Sequence, residues 1–527
     1  MFSNEPHFQL QIMETQDSRG KRKKDSKFVK KLKQKIYTWH RIIGIITVIP
    51  VIFWCLSGVM HPFMAHFFKP EIPNERYQAP TLLQSQLPLS INTVLNQNKI
   101  DEILNFKIVS FEKAVYYQVK TLDAKLHYFN TTTGSELANG DARYAEWLSR
   151  YFLEDQKSKV ISSEIVTTFD SQYKYVNRYL PVYKLTFDRP DGMEIYVETA
   201  SSKLATFNPK SRQFFIWFFD TFHNWSFLDA ISNTAVRVWI MVLLLSIIGI
   251  SALSGIVIYG LFWKQFKRQP QPTDQPSRFR KHHRKIGIAV AFVTLTFAFS
   301  GGYHALTKLK PNVLPKMVYE PTIALQDLKI ENTVLTFDWS KFKNCSVIKM
   351  NDTVYYQVQT GKGPKKNVTT YLDALNGKVH PNKEQAYAEF LAQTFSEMYL
   401  KNAACCEMQE TECKASTDIS EAKLQETKTL YEFEKREYGF VNKRLPVIKL
   451  AYDTPDKTTY YIDTATSHLA TVVTNADRLE GYSFAILHKF LFMDWAGKGI
   501  RDLVTVLAAM GVLMVSLLGL YLFLKKK

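Results

Sequence analysis

From Ile42 to Met60 the chain carries no formal charge, and a helix of that length crosses the hydrocarbon layer of a membrane. A histidine stands just outside each end. Trp39-His40-Arg41-Ile42-Ile43-Gly44 leads in, and Ser57-Gly58-Val59-Met60-His61 leads out. The pattern returns as His283-Arg284-Lys285-Ile286-Gly287, a second uncharged run, and Ser300-Gly301-Gly302-Tyr303-His304, with the histidines again 21 positions apart. The residues between have drifted, Pro50 standing opposite Val293 and Cys55 opposite Ala298, so the copies share mainly His, Arg, Gly, Ser-Gly and His. At 1.5 Å per residue the histidines of one copy lie about 31 Å apart, one near each face of a bilayer.

Four imidazoles then form two levels. Neutral imidazole is a usual axial ligand of haem, and two helices that each offer one can clamp an iron between them. The expectation is a membrane cytochrome of b type with two haems, its iron held by His40, His283, His61 and His304. A lone histidine at a span end is ordinarily interfacial, but retention in both copies while their surroundings changed favours ligation. His40 with His283 makes the lower level. At the outer level His61, His304, His223 and His488 exceed what a second haem needs, so either His61 pairs with His304, or a span histidine pairs with His223 or His488. Arg41 and Arg284 below suit porphyrin propionates, and anchoring at the membrane face explains those two equally; Arg237 and Arg501 are the propionate partners expected above, against ordinary snorkelling at the interface. His66 follows His61 across Pro62 and points elsewhere on a continued helix, and Leu309 stands at its place in the second copy. Gly255 and Gly519 place a small residue at matching depths of two further spans, where helices or a flat macrocycle can approach.

The overall hydrophobic content, 46%, is that of a soluble protein, but the apolar residues gather in four runs. The net charge of +18 has a local cause as well. Much of it lies in Arg19 to Lys35, Lys264 to Lys285 and Lys525 to Lys527, all beside span ends, which fits cytoplasmic anchoring against the lipid bilayer and not nucleic acid. Met1 to Lys35 is too polar for a cleavable signal. Of five cysteines, Cys55 falls inside a span as a packing residue, and Cys345, Cys405, Cys406 and Cys413 fall on the outer side, where a structural disulfide is the expectation for the last three.

The organisation read from these signals is a basic cytoplasmic tail at 1–35, spans at 36–66, 233–263, 285–307 and 502–524, outer domains at 67–232 and 308–501, a cytoplasmic linker at 264–284 and a short tail at 525–527. The outer domains repeat one inventory. Val115-Tyr116-Tyr117-Gln118-Val119 matches Val354-Tyr355-Tyr356-Gln357-Val358 as a strand, and Tyr144-Ala145-Glu146-Trp147-Leu148 matches Tyr387-Ala388-Glu389-Phe390-Leu391 as a helix. Val176-Asn177-Arg178-Tyr179-Leu180-Pro181-Val182 matches Val441-Asn442-Lys443-Arg444-Leu445-Pro446-Val447. The offset grows from 243 to 265 between the last two matches, so the second half carries an insertion of 22 residues, the expected home of Cys405, Cys406 and Cys413. Pro190-Asp191-Gly192 between two alternating runs predicts a hairpin.

His40-Arg41-x-x-Gly44 with Ser57-Gly58, their second copy, Leu487-His488, and the Leu-Pro-Val strand followed by Tyr461-Ile462-Asp463-Thr464-Ala465-Thr466 resemble the PepSY-associated transmembrane family. Within it the pattern is similar to the bacterial inner-membrane ferric siderophore reductases. The resemblance covers nearly the whole chain after residue 30. It implies a bundle of four transmembrane helices with two α+β periplasmic PepSY-like domains, haem b in the bundle, and electron delivery to a ferric siderophore or other ferric chelate for iron acquisition. The chain carries no dinucleotide fingerprint and no P-loop, so electrons are expected from membrane quinol or a cytoplasmic donor. The alternative is a non-catalytic PepSY membrane protein, acting as a binding, regulatory or iron-uptake accessory module.

Overall fold

The computed structural model describes residues 27–268, 274–309, 317–329, 338–361, 367–404, 418–434 and 437–525. The basic tail before Lys27, residues 269–273 of the linker expected at 264–284, and Cys405, Cys406 and Cys413 lie outside these residues.

Four helices are long and apolar enough to cross a membrane: Lys27–Phe67, Thr234–Leu261, Gln275–Thr307 and Gly497–Leu524. Asn233 and Asp274 start the second and third by accepting from Val236 N and Ser277 N, which satisfies donors that a helix leaves unpaired at its first turn. The first helix packs on the second and fourth, and the third packs on the same two. The helices that carry the repeated histidines therefore lie on one diagonal of a closed ring. Val51, Cys55, Ile248, Ala298, Val512 and Leu513 fill the interior. Ile46, Leu243, Phe292 and Leu507 are exposed on the outside, as lipid contact requires. The first helix continues through Pro62 to Phe67, and His66 Nε2 meets Asp502 Oδ2 at 3.0 Å.

Beyond one end of the bundle lie two α+β units. The first contains β1 (Glu102–Ile103), β2 (Asn105–Phe111), β3 (Ala114–Lys120), β4 (Leu126–Asn130), β5 (Val160–Val166), β6 (Val182–Phe187), β7 (Glu194–Glu198) and β8 (Lys203–Asn208). The second contains β9 (Ile323–Ala324), β10 (Phe342–Met350), β11 (Thr353–Gly361), β12 (Asn367–Asp373), β13 (Val379–His380), β14 (Leu424–Leu430), β15 (Val447–Tyr452), β16 (Thr459–Asp463) and β17 (His468–Val473). β5 to β8 and β14 to β17 form two antiparallel four-stranded sheets. Helix Gly140–Leu153 buries Tyr144, Ala145, Leu148 and Phe152, and helix Lys383–Ala404 buries Tyr387, Ala388, Leu391 and Phe395. That spacing makes one apolar stripe on each helix, which seats it in the core of its unit.

The two units share a sheet. β2 and β10 pair antiparallel and join both halves in one seven-stranded sheet, ordered β13-β12-β11-β10-β2-β3-β4. Their one paired position sets Ser346 against Lys107, and on either side the bonding is reciprocal. Asn344 Oδ1 accepts from Ile108 N at 2.9 Å, and Asn105 Oδ1 accepts from Val347 N at 3.4 Å. A second junction runs between the repeated Leu-Pro motifs: Arg178 Nε donates to Val441 O at 3.2 Å, and Tyr179 Oη donates to Lys443 O at 3.1 Å.

Candidate functional site

The ring of helices brings His40 and His283 together, with ring centroids 6.4 Å apart and planes inclined at 65°. His40 Nδ1 lies 2.8 Å from Ser254 Oγ, whose own hydrogen goes to Ser251 O, so the imidazole is the donor. His283 Nδ1 lies 3.1 Å from Val515 O, which can only accept. Both rings are thereby fixed with the proton on Nδ1 and the lone pair on Nε2. The two glycines noted in the sequence are explained by these rings. A Cβ at Gly255 would come 3.5 Å from His40 Cε1, and one at Gly519 would come 3.4 Å from His283 Cε1.

At the other end of the bundle the pair is His223 with His488, again 6.4 Å between centroids, with planes at 88°. The same logic fixes their protons. Ser57 Oγ donates to Phe53 O and accepts from His223 Nδ1 at 3.0 Å; Ser300 Oγ donates to Thr296 O and accepts from His488 Nδ1 at 3.2 Å. His223 follows helix Lys210–Phe222, and His488 ends a π-helical turn, Phe484–His488. Each ring stacks on the phenylalanine four residues before it, Phe219 at 4.4 Å and Phe484 at 4.7 Å. Trp54 Nε1 donates to His223 O at 2.9 Å and holds the first of these segments against the bundle.

This pairing is neither of the two expected at the outer level. His61 and His304 do not face each other: His61 lies beside the Phe219 ring at 5.8 Å, and His304 Nδ1 donates to Glu480 Oε1 at 2.7 Å. Both stand one helical turn beyond Ser57 and Ser300, so the serines, and not the histidines, are level with the imidazoles that enter from outside. His40 to Ser57 and His283 to Ser300 are each 17 positions, about 26 Å along a helix, which shortens the spacing of the two levels from the 31 Å read for His40 to His61. The arginines are otherwise engaged. Arg237 Nε pairs with Asp229 Oδ1 at 3.0 Å, Arg501 pairs with Asp494, Arg284 lies over the Phe266 ring at 4.1 Å and Arg41 over the Phe523 ring at 6.0 Å. The shared His, Asp and Arg of Phe222 to Arg237 and Leu487 to Arg501 carried the signal for the two ion pairs.

Among the described residues no three His, Cys, Asp or Glu side chains converge as a metal cage. The imidazoles come two by two. A metal–imidazole bond of about 2 Å on each side, plus half the width of each ring, sets two axial imidazole centroids about 6 Å apart. Both pairs have that separation, and all four rings keep Nε2 for a ligand, so these residues fit a bis-imidazole haem at each end of the bundle. Cys55 and Cys345 are buried free thiols in apolar surroundings.

Four apolar helices joined to α+β units by their histidine-bearing ends define a membrane protein with PepSY-like domains. The sequence matches the PepSY-associated TM region over residues 139–526, and the chain belongs to that family. No curated protein matches it.

Proposed function

We propose that the chain is a b-type cytochrome with two haems, which carries electrons across a bacterial inner membrane to ferric chelates, ferric siderophores among them, in the periplasm. The observation that carries this reading is the pair of matched imidazole couples, each with its protons fixed on Nδ1. When bound, haem supplies one-electron redox chemistry. His40 and His283 hold it at one level, and His223 and His488 at the other. Ser254, Val515 O, Ser57 and Ser300 orient those rings and raise their basicity. Val51, Cys55, Ile248, Ala298, Val512 and Leu513 keep water from the bundle between the two levels. Lys31, Lys33 and Lys35 precede His40, Lys281 and Lys285 flank His283, and Lys525 follows the fourth helix, which supports a cytoplasmic position for that end. Quinol or a cytoplasmic reductant serves as donor. In the acceptor, reduction of ferric to ferrous iron weakens hard oxygen coordination and releases the metal. The two halves are read as copies of one ancestral unit.

The test is a haem count and a dithionite-reduced spectrum of the purified protein. Two haems per chain are expected. His40→Ala and His283→Ala each lose one, His223→Ala and His488→Ala each lose the other, and His61→Ala and His304→Ala keep both. The reduced protein is expected to reoxidise on addition of a ferric hydroxamate or ferric citrate. A colourless preparation would instead support the accessory, non-catalytic reading.

A further inference from the structure

A cavity of about 300 Å³ lies where the two α+β units meet, and both halves line it. Five cationic side chains, Lys107, Lys120, Lys203, Lys343 and Arg444, face it with three carboxylates, Glu198, Glu320 and Asp463. The carboxylates are all taken. Lys120 Nζ lies 2.6 Å from Glu320, Arg444 lies 3.3 Å from Asp463 and 3.9 Å from Glu198, and Lys203 lies 3.7 Å from Asp463.

Lys107 and Lys343 are left with neutral acceptors. Lys107 Nζ donates to Thr199 O at 3.0 Å and Ser202 Oγ at 2.7 Å; Lys343 Nζ donates to Ala79 O at 3.0 Å and Thr81 Oγ1 at 2.9 Å. Among the described residues neither has a carboxylate within ion-pair reach. An ammonium has three donors, so each keeps one N–H to give, along with a charge that no carboxylate contacts directly. Such a charge is costly to bury, and burial drags the Lys107 pKa down to about 7 against the pull of Glu198 and Asp141. Asn367 adds a side-chain amide whose Nδ2 can donate to a carboxylate, while its buried Oδ1, without a partner among the described residues, is open to a ligand hydroxyl.

We infer that this cavity is a binding site for a small polycarboxylate of the size of citrate. Its volume lies at the lower end of small-molecule sites. Lys107 Nζ is held by Thr199 and Ser202 between β7 and β8, and Lys343 Nζ by Ala79 and Thr81 ahead of β1, so the two charges are anchored on different segments lining the cavity, as a ligand charged at both ends requires. The site is apart from the histidine pairs. None of the residues lining the cavity belongs to the four long helices or to the segments that carry His223 and His488, so a ligand here bridges the two halves without touching the bundle.

Calorimetric titration of the full-length protein with citrate, and separately with inorganic phosphate, tests this. Saturable citrate binding at one site per chain is expected. Lys107→Met and Lys343→Gln should each weaken it about ten-fold or more, with circular dichroism unchanged. Lys343 is only partly buried, so its variant folds even where Lys107→Met does not. Absence of saturable citrate binding, wild-type affinity in Lys343→Gln, or equally tight binding of phosphate would overturn the assignment. Haem content is read on the same samples and decides the cytochrome proposal independently.

Discussion

Ser57 and Ser300 each spend their hydroxyl hydrogen on their own helix, which turns the oxygen into an acceptor for an imidazole arriving from elsewhere in the chain. Removing that acceptor frees the ring to rotate and to change tautomer. Ser57→Ala is expected to weaken haem retention at the outer level about ten-fold, measured by haem loss to apomyoglobin, while the His40 level is unaffected. Gly519 tests the opposite end. Alanine at 3.4 Å from His283 is in ordinary contact, whereas Gly519→Val drives branched atoms into the ring, and the prediction is loss of one haem for valine only. A third residue acts through pH. Burial, with the Arg444 guanidinium beside it, holds His468 well below its ordinary value of 6.5 against the opposing pull of Asp463. The folded chain refuses a proton that the unfolded chain accepts, so stability falls as pH drops below about 6.5. His468→Gln should remove on the order of 1–2 kcal/mol of the loss between pH 7 and pH 5, read from urea midpoints at the two values. At this scale the sequence made His40 and His283 legible, because a repeated helix keeps its own register. It did not reveal that Ser57 and Ser300 meet the rings of His223 and His488, since those partners lie 166 and 188 positions away.

The elements that were readable have local signals: apolar runs for the four helices, the repeated Val-Tyr-Tyr-Gln-Val run in β3 and β11, one stripe on each domain helix, and the Pro190-Asp191-Gly192 turn between β6 and β7. The elements that were not readable owe their place to backbone contacts. β2 and β10 have the burial of ordinary strands, and nothing in their side chains announces that their edges meet. Only Asn105 and Asn344, at matching places, leave a trace, each capping a backbone N–H of the other strand. Asn105→Ala and Asn344→Ala should each cost about 1 kcal/mol by leaving that N–H without its acceptor. Near-additivity in the double variant, checked by chemical denaturation, is expected if the two bonds act independently.

Every candidate haem site in the molecule takes one histidine from each half: His40 with His283, and His223 with His488. Residues 1–268 or 274–527 produced alone therefore lack a complete pair. Co-production of the two pieces is expected to restore the spectrum of the intact chain, because the mixed sheet and the ring of helices give them a large common surface. Failure of the mixture to bind haem while the intact chain does would place the ligands elsewhere.

Two equal chains meeting on a symmetry axis must present the same residue from both sides, and a single continuous chain is free of that rule. Position 107 is lysine where its opposite number, 346, is serine, and position 179 is tyrosine where 444 is arginine. One guanidinium can consequently settle between two acids, Glu198 and Asp463, without a twin to repel it. Covalent linkage thus permits a lopsided interior that a homodimer could not adopt.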